Sequence, residues 1–327
     1  MIPPEWIEEA RRRLAGQIVQ TPLTFDLQLN IYLKWENRQK TGSFKIRGAL
    51  NKVLCLEQTA VECGLVTASA GNHGQGLAVA AQLVGAALTV FVSDHAVPAK
   101  LAAMRALGAE LQLVPGGYGD AEKAAIDYAA RAGKTWVSPY NDEQVIAGQG
   151  TLGLDLYEQV PVPRAVQALV APAGGGGLVA GLGAALHALT PATGRPRLVA
   201  AQSEASPFLY ELYQHGSQDG VVERDSLADG LAGAVEPGSL TIDLARAYVD
   251  RFILVSEEQI ARAIAFAWLR YTEKIEGSAA VSLAAVLFGQ VAERPAVVVI
   301  SGGNIQPEVH AAICAQWGPS WKVEHSE

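Results

Sequence analysis

Two periodicities alternate along the chain. Short, almost wholly apolar runs at 31–36, 64–68, 88–93, 110–114, 135–138, 167–171, 197–202, 251–255 and 296–300 predict strands. Longer Ala/Leu-rich stretches between them, such as 98–107, 120–132, 178–189 and 257–272, carry helical spacing. The last follows Ser256-Glu257-Glu258-Gln259, a capping box that marks a helix start. Strands that read as continuous apolar runs must be covered on both faces, so the pattern predicts parallel sheets flanked by helices. The expected architecture is α/β with two open units. Residues 61–145 form one unit, and 1–60 together with 146–327 form the other. No repeat and no low-complexity linker interrupts them.

Composition narrows the setting. Half of the 327 residues are hydrophobic and 18% are charged, ample material for two cores. No apolar run is long enough to cross a bilayer, and the first residues lack the basic-then-apolar order of a signal peptide. The net charge is −8 and the basic residues are scattered apart from Arg11-Arg12-Arg13, which argues against nucleic acid as a partner. Cys55, Cys63 and Cys314 are odd in number and lack metal-ligand spacing. A cytoplasmic protein in a reducing compartment, without membrane contact, is the expectation.

Chemistry concentrates at three corners that follow predicted strands, where open parallel sheets collect ligands. Gly174, Gly175, Gly176 and Gly177, then Leu178 at a helix start, let backbone N–H groups converge on an anion such as a phosphate. Gly175-x-Gly177-x-x-Ala180 also mimics a dinucleotide fingerprint, but the next strand ends at Gln202 where that reading wants a ribose-binding acid. The second corner, Ser69-Ala70-Gly71-Asn72-His73, exposes donors suited to a carboxylate; helix capping by Ser69 or Asn72 explains it equally well. The third, Ser301-Gly302-Gly303-Asn304, places a hydroxyl beside a ligand ring or forms a plain turn.

The segment Gly42-Ser43-Phe44-Lys45-Ile46-Arg47-Gly48-Ala49 joins these corners. A lysine between Phe44 and Ile46, beside small residues, is expected to be partly desolvated, which lowers an amine's pKa and prepares it for Schiff-base formation. A lone helical lysine is more often a surface charge, so the reading needs the whole string. This string, followed in order by 69–73, Ile146 to Thr151, 174–178, Ala228-Asp229-Gly230, Ile275-Glu276-Gly277 and 301–304, resembles the serine/threonine dehydratase and serine racemase family. These are pyridoxal 5′-phosphate (PLP) enzymes of fold type II, with the cofactor in the cleft between two open α/β domains.

The resemblance implies that Lys45 is the catalytic residue and carries PLP. Phe44, Asn72, Gly174 to Leu178, Glu276 and Ser301 complete the cofactor site, with Ser301 on the pyridine nitrogen. Ser69, Ala70, Gly71, Asn72 and His73 form the substrate-carboxylate loop. It further implies a small amino-acid substrate, a homodimer, and loss of water from a β-hydroxy amino acid to give a 2-oxo acid and ammonia. The freed Lys45 amine would take the α-proton. Racemisation and β-replacement are the alternatives within the family. Racemases of the family carry a serine where this chain has Ala70, and a Glu/Asp metal site where it has Gln202 and Phe208, so neither racemisation nor that metal site is expected. The stretch after Asn304 is too short for the regulatory domain of biosynthetic threonine dehydratases.

Overall fold

The computed structural model describes residues 1–161 and 165–324. Ten strands form two sheets: β1 (Leu23–Asp26), β2 (Ile31–Trp35), β3 (Leu65–Ala68), β4 (Leu88–Ser93), β5 (Glu110–Val114), β6 (Thr135–Trp136), β7 (Ala168–Pro172), β8 (Arg197–Ser203), β9 (Arg251–Val255) and β10 (Ala296–Ile300). One sheet has the order β1-β2-β10-β7-β8-β9 and the other β5-β4-β3-β6. All pairings are parallel except β1 with β2.

Each predicted strand is present, with ends shifted by two residues at most. β1 escapes the apolar pattern because it is an edge strand of four residues whose Phe25 is largely exposed. The capping box closes as expected: Ser256 Oγ accepts from Gln259 N at 3.3 Å, and Gln259 Oε1 accepts from Ser256 N at 3.0 Å.

The continuous apolar runs follow from two-sided burial. Along β10, Val297 and Val299 face a core shared with Leu178 and Leu182 of the helix Gly177–Leu189. Val298 and Ile300 face another, shared with Ile264 and Leu283 of helices Glu257–Tyr271 and Gly277–Leu287. In the smaller sheet Val90 and Val92 pack with Leu77 on one side, and Phe91 packs with Ala121 and Ala125 on the other. Ile46, Leu50 and Val145 join the former core, so the helix Lys45–Leu54 packs on the smaller sheet's side and against the helix Glu143–Gln159. Its approach to the helix Glu143–Gln159 requires glycine: a Cβ on Gly148 would stand 2.6 Å from the Arg47 carbonyl.

Candidate active site

Lys45 opens its helix immediately after a segment clamped by the turn that follows β10. Phe44 N donates to Ser301 O at 3.0 Å, Gly303 N donates to Gly42 O at 2.9 Å, and Ser43 pairs with Gly302. The turn after β10 thereby fixes both Lys45 and Ser301. The Lys45 amine donates to Pro139 O at 3.0 Å. Protein surrounds the charged head, and this burial pulls its pKa down to about 8, with the Glu276 carboxylate acting in the opposite direction.

The glycine corner joins β7 to the helix Gly177–Leu189. Gly176 sits at φ +91°, a left-handed conformation that other residues rarely adopt. A Cβ on Gly175 would lie 2.5 Å from the Tyr140 ring, and one on Gly174 would lie 2.9 Å from Leu231 Cα. No side chain fits here. The first helical N–H groups, Leu178 included, are left for an anion, with the helix dipole behind them.

At the 69–73 corner, Ser69 Oγ accepts from Gly71 N at 3.2 Å and Gly74 N at 3.0 Å. The hydroxyl therefore performs the capping that the sequence allowed, and Ala70 adds only a methyl to the cleft. Asn72 Nδ2 donates to Glu276 Oε1 at 2.6 Å, while its Oδ1 accepts from Asn304 Nδ2 at 2.7 Å. His73 is 2% exposed, and neither ring nitrogen has a well-formed hydrogen bond. Burial first, then the Lys45 charge, lowers its pKa to about 3, despite a looser backbone contact to Val137. It is neutral. Glu276 is raised to about 7, chiefly by burial and then by Asp229; Lys100, the Asn72 amide and the Asn304 backbone oppose the shift.

Phe44, Lys45, Ser69 to His73, Gly174 to Leu178, Glu276 and Ser301 line one cleft of about 790 Å³. That size suits a cofactor together with a small substrate. Other lining residues are tied in by contacts that the sequence does not show. Lys100 and Asp229 form an ion pair across the cleft. Tyr118, donating to Glu122 Oε1 at 2.7 Å, packs beside Gly233. Tyr140 is held by Glu236 N, which donates to its hydroxyl at 2.8 Å. The Lys100–Asp229 and Tyr140–Glu236 pairs are long-range and leave no local pattern.

From the sequence, Phe208, Tyr210 and Tyr213 suit an aromatic pocket wall or, more commonly, core packing. They do not line the cleft. Tyr210 and Tyr213 pack on Phe252 at ring-centroid distances of 6.1 and 5.1 Å, as core. Residues 223–226 and 229–234 line the cleft there instead. Gln202 Oε1 accepts from Tyr210 N at 3.0 Å, so an amide ties the end of β8 to the next helix. Among the described residues no group of three or more His, Cys, Asp and Glu side chains is placed to hold a metal ion.

A desolvated amine facing a cradle that admits only backbone suits a phosphorylated aldehyde that condenses with lysine. On a cleft between two parallel sheets, this defines a PLP enzyme of fold type II. The chain belongs to the pyridoxal-phosphate dependent enzyme family, whose pattern it matches over residues 14–302. It is 40% identical over 312 residues to the L-threonine ammonia-lyase of Thermotoga maritima, which covers 93% of this chain and 76% of that one. The serine racemase of Dictyostelium discoideum superposes with a TM-score of 0.83 at 33% identity, over 93% of this chain and 99% of that one. The processed form of threonine deaminase isoform 2 from Solanum lycopersicum gives 0.85 at 26% identity, over 96% and 93%.

Proposed function

We propose that this enzyme removes water from L-threonine, L-serine or a bulkier β-hydroxy amino acid, yielding a 2-oxo acid and ammonia. The observation that carries the reading is the Lys45 amine, desolvated in the cleft with a pKa of about 8. At neutral pH such an amine gives up and regains a proton readily, as an α-proton base must. The likeness to L-threonine ammonia-lyases supplies the reaction type.

In this reading Phe44 and Lys45 hold one side of the cofactor, and the N–H groups of Gly174 to Leu178 hold its phosphate. Asn72, supported by Glu276, faces the ring oxygen. Bound PLP supplies the electron sink for α-carbanion chemistry. The neutral Ser301 hydroxyl at the pyridine nitrogen keeps that sink weaker than a carboxylate partner would, which favours prompt loss of the β-hydroxyl. The N–H groups of 69–73 grip the substrate carboxylate and orient the Cα–H bond toward Lys45. Ala70 offers no hydroxyl on the opposite face, so the likeness to serine racemases is read as shared fold without shared outcome.

The unit 61–145 is taken as the substrate-binding part, and 1–60 with 146–327 as the cofactor-binding part. Support comes from strand membership, with β3 to β6 in one sheet and the rest in the other. Three free cysteines support a reducing cytoplasm. A homodimer follows from the family, and sedimentation of the holoenzyme tests it. No helix among the described residues is long and apolar enough to cross a membrane.

Purified holoenzyme incubated with β-hydroxy amino acids of increasing size and both β-configurations tests the activity. Stoichiometric 2-oxo acid and ammonia from at least one is expected. Absence of both from all of them would remove the proposal.

A further inference from the structure

The Asn72 amide can be oriented two ways, and they are chemically opposite: one offers N–H to the cleft and the other a carbonyl oxygen. A chain of hydrogen bonds starting at a group that cannot flip decides between them. The Thr41 backbone carbonyl only accepts, so the Asn304 atom 2.8 Å from it is Nδ2. The same nitrogen lies 2.7 Å from the Asn72 side chain. With one hydrogen on Thr41, Asn304 gives its second to Asn72, whose facing atom is therefore Oδ1. Asn72 Nδ2 then points the other way and donates to Glu276 Oε1 at 2.6 Å. Its remaining hydrogen is left for the cleft, which Asn72 lines.

Asn304 is confined as well as bonded. A Cβ on Gly42 would overlap its side-chain oxygen, and Gly42 itself sits at φ +72°. The Gly42 carbonyl accepts from Gly303 N at 2.9 Å, which ties the two turns together just before Asn304. Asn304 does not line the cleft. Its side chain reaches the cofactor site only through Asn72, whereas its backbone contact to Glu276 does not depend on the side chain.

We infer that Asn304 is a positioning residue that locks Asn72 as a hydrogen-bond donor toward the cofactor's ring oxygen. The inference rests on the PLP reading of the site and not on which substrate is used. A donor N–H stabilises the ionised ring oxygen, so the lock sets the colour and proton affinity of the bound cofactor. Asn304→Asp removes both donors from the position and places an acceptor opposite Thr41 O and Asn72 Oδ1, so the Asn72 amide keeps only its Glu276 anchor and loses its fixed orientation.

The test is the visible absorption of the holoenzyme, followed through a pH titration, with circular dichroism to establish folding. Asn304→Asp should shift the band and displace its midpoint pH by about one unit, with the PLP dissociation constant raised roughly tenfold. Asn304→Ala should move both in the same direction by less, and it carries the test should the Asp variant not fold. In an Asn72→Ala background, Asn304→Ala should leave spectrum and midpoint unchanged, because the residue through which it acts is gone. Folded Asn304 variants with wild-type spectra and midpoints would overturn the inference, as would equal shifts with and without Asn72. A colourless wild-type protein would instead fail the cofactor reading beneath it.

Discussion

Lys100 and Asp229 meet as an ion pair across the cleft, from positions 129 residues apart in sequence. Lys100 lies on the helix Pro98–Ala106 and Asp229 on a short 3-10 turn at Asp229–Leu231. The Asp229 side chain is 52% exposed, so the pair adds at most about 1 kcal/mol to stability. Its larger effect is on Glu276, which Asp229 pushes up and Lys100 pulls down.

Opposite shifts in the pH profile follow. Lys100→Ala leaves Asp229 unopposed, so Glu276 should hold its proton to higher pH and the acid limb of kcat/KM should move up. Asp229→Asn should move the same limb down. Melting temperatures should change by no more than about 2–4 °C in either variant. Shifts of the same sign would remove Glu276 as the group these charges tune.

Gly175→Ala should weaken cofactor retention by roughly tenfold or more, since its methyl would stand 2.5 Å from the Tyr140 ring and displace the cradle. Dialysis against phosphate-free buffer, with the remaining PLP read by absorbance, measures it. Unchanged retention would place the phosphate elsewhere.

Lys45 carries a pH signature in the apoenzyme. Its pKa falls from the ordinary 10.5 unfolded to about 8 folded, so between these values the unfolded chain binds more protons and stability rises with pH. Below about pH 8 the buried charge costs stability, and above 10.5 the cost is gone. Lys45→Met should therefore make the apoenzyme more stable at pH 7, by on the order of 1–3 kcal/mol. That gain should shrink as pH rises from 8 to 10.5. Urea melts at several pH values test both sign and window.

Two residues beyond Lys45, Arg47 is fully buried. It donates to Glu36 at 2.8 and 2.9 Å, to Asp155 at 2.6 Å and to Thr151 at 3.1 Å. Lys34 completes the cluster through Gln159 Oε1 at 2.7 Å and Thr21 O at 2.8 Å. Arg47→Ala would strand the Glu36 carboxylate, at a cost of about 3–5 kcal/mol. The deficit against wild type should narrow as pH falls below the ordinary carboxylate value of 4.5, because Arg47 holds Glu36 below it. Chemical denaturation at pH 7 and pH 4 compares the two; an equal deficit at both would contradict the pairing.

The chain made its fold legible because the sheet centres are covered on both sides, as in the uniformly buried β10. β1 was not legible for the converse reason, an edge strand needing no apolar face. At the site, the glycine loop and the Lys45 segment were readable because backbone geometry and desolvation demand particular residues in a row. Tyr140 against Gly175, Lys100 with Asp229, and Asn304 with Asn72 were not. Each is made by folding distant segments together. The aromatic run at 208–213 was ambiguous for a related reason, since aromatic residues serve a core as readily as a pocket, and here they serve the core.

The central claim is that Lys45 carries the cofactor. Borohydride reduction of the yellow holoenzyme, followed by digestion and mass spectrometry, tests it most directly. A pyridoxyl phosphate adduct on the Lys45 peptide, with Lys45→Ala colourless and unlabelled, is predicted. An adduct on another lysine, or an undiminished visible band in Lys45→Ala, would contradict it.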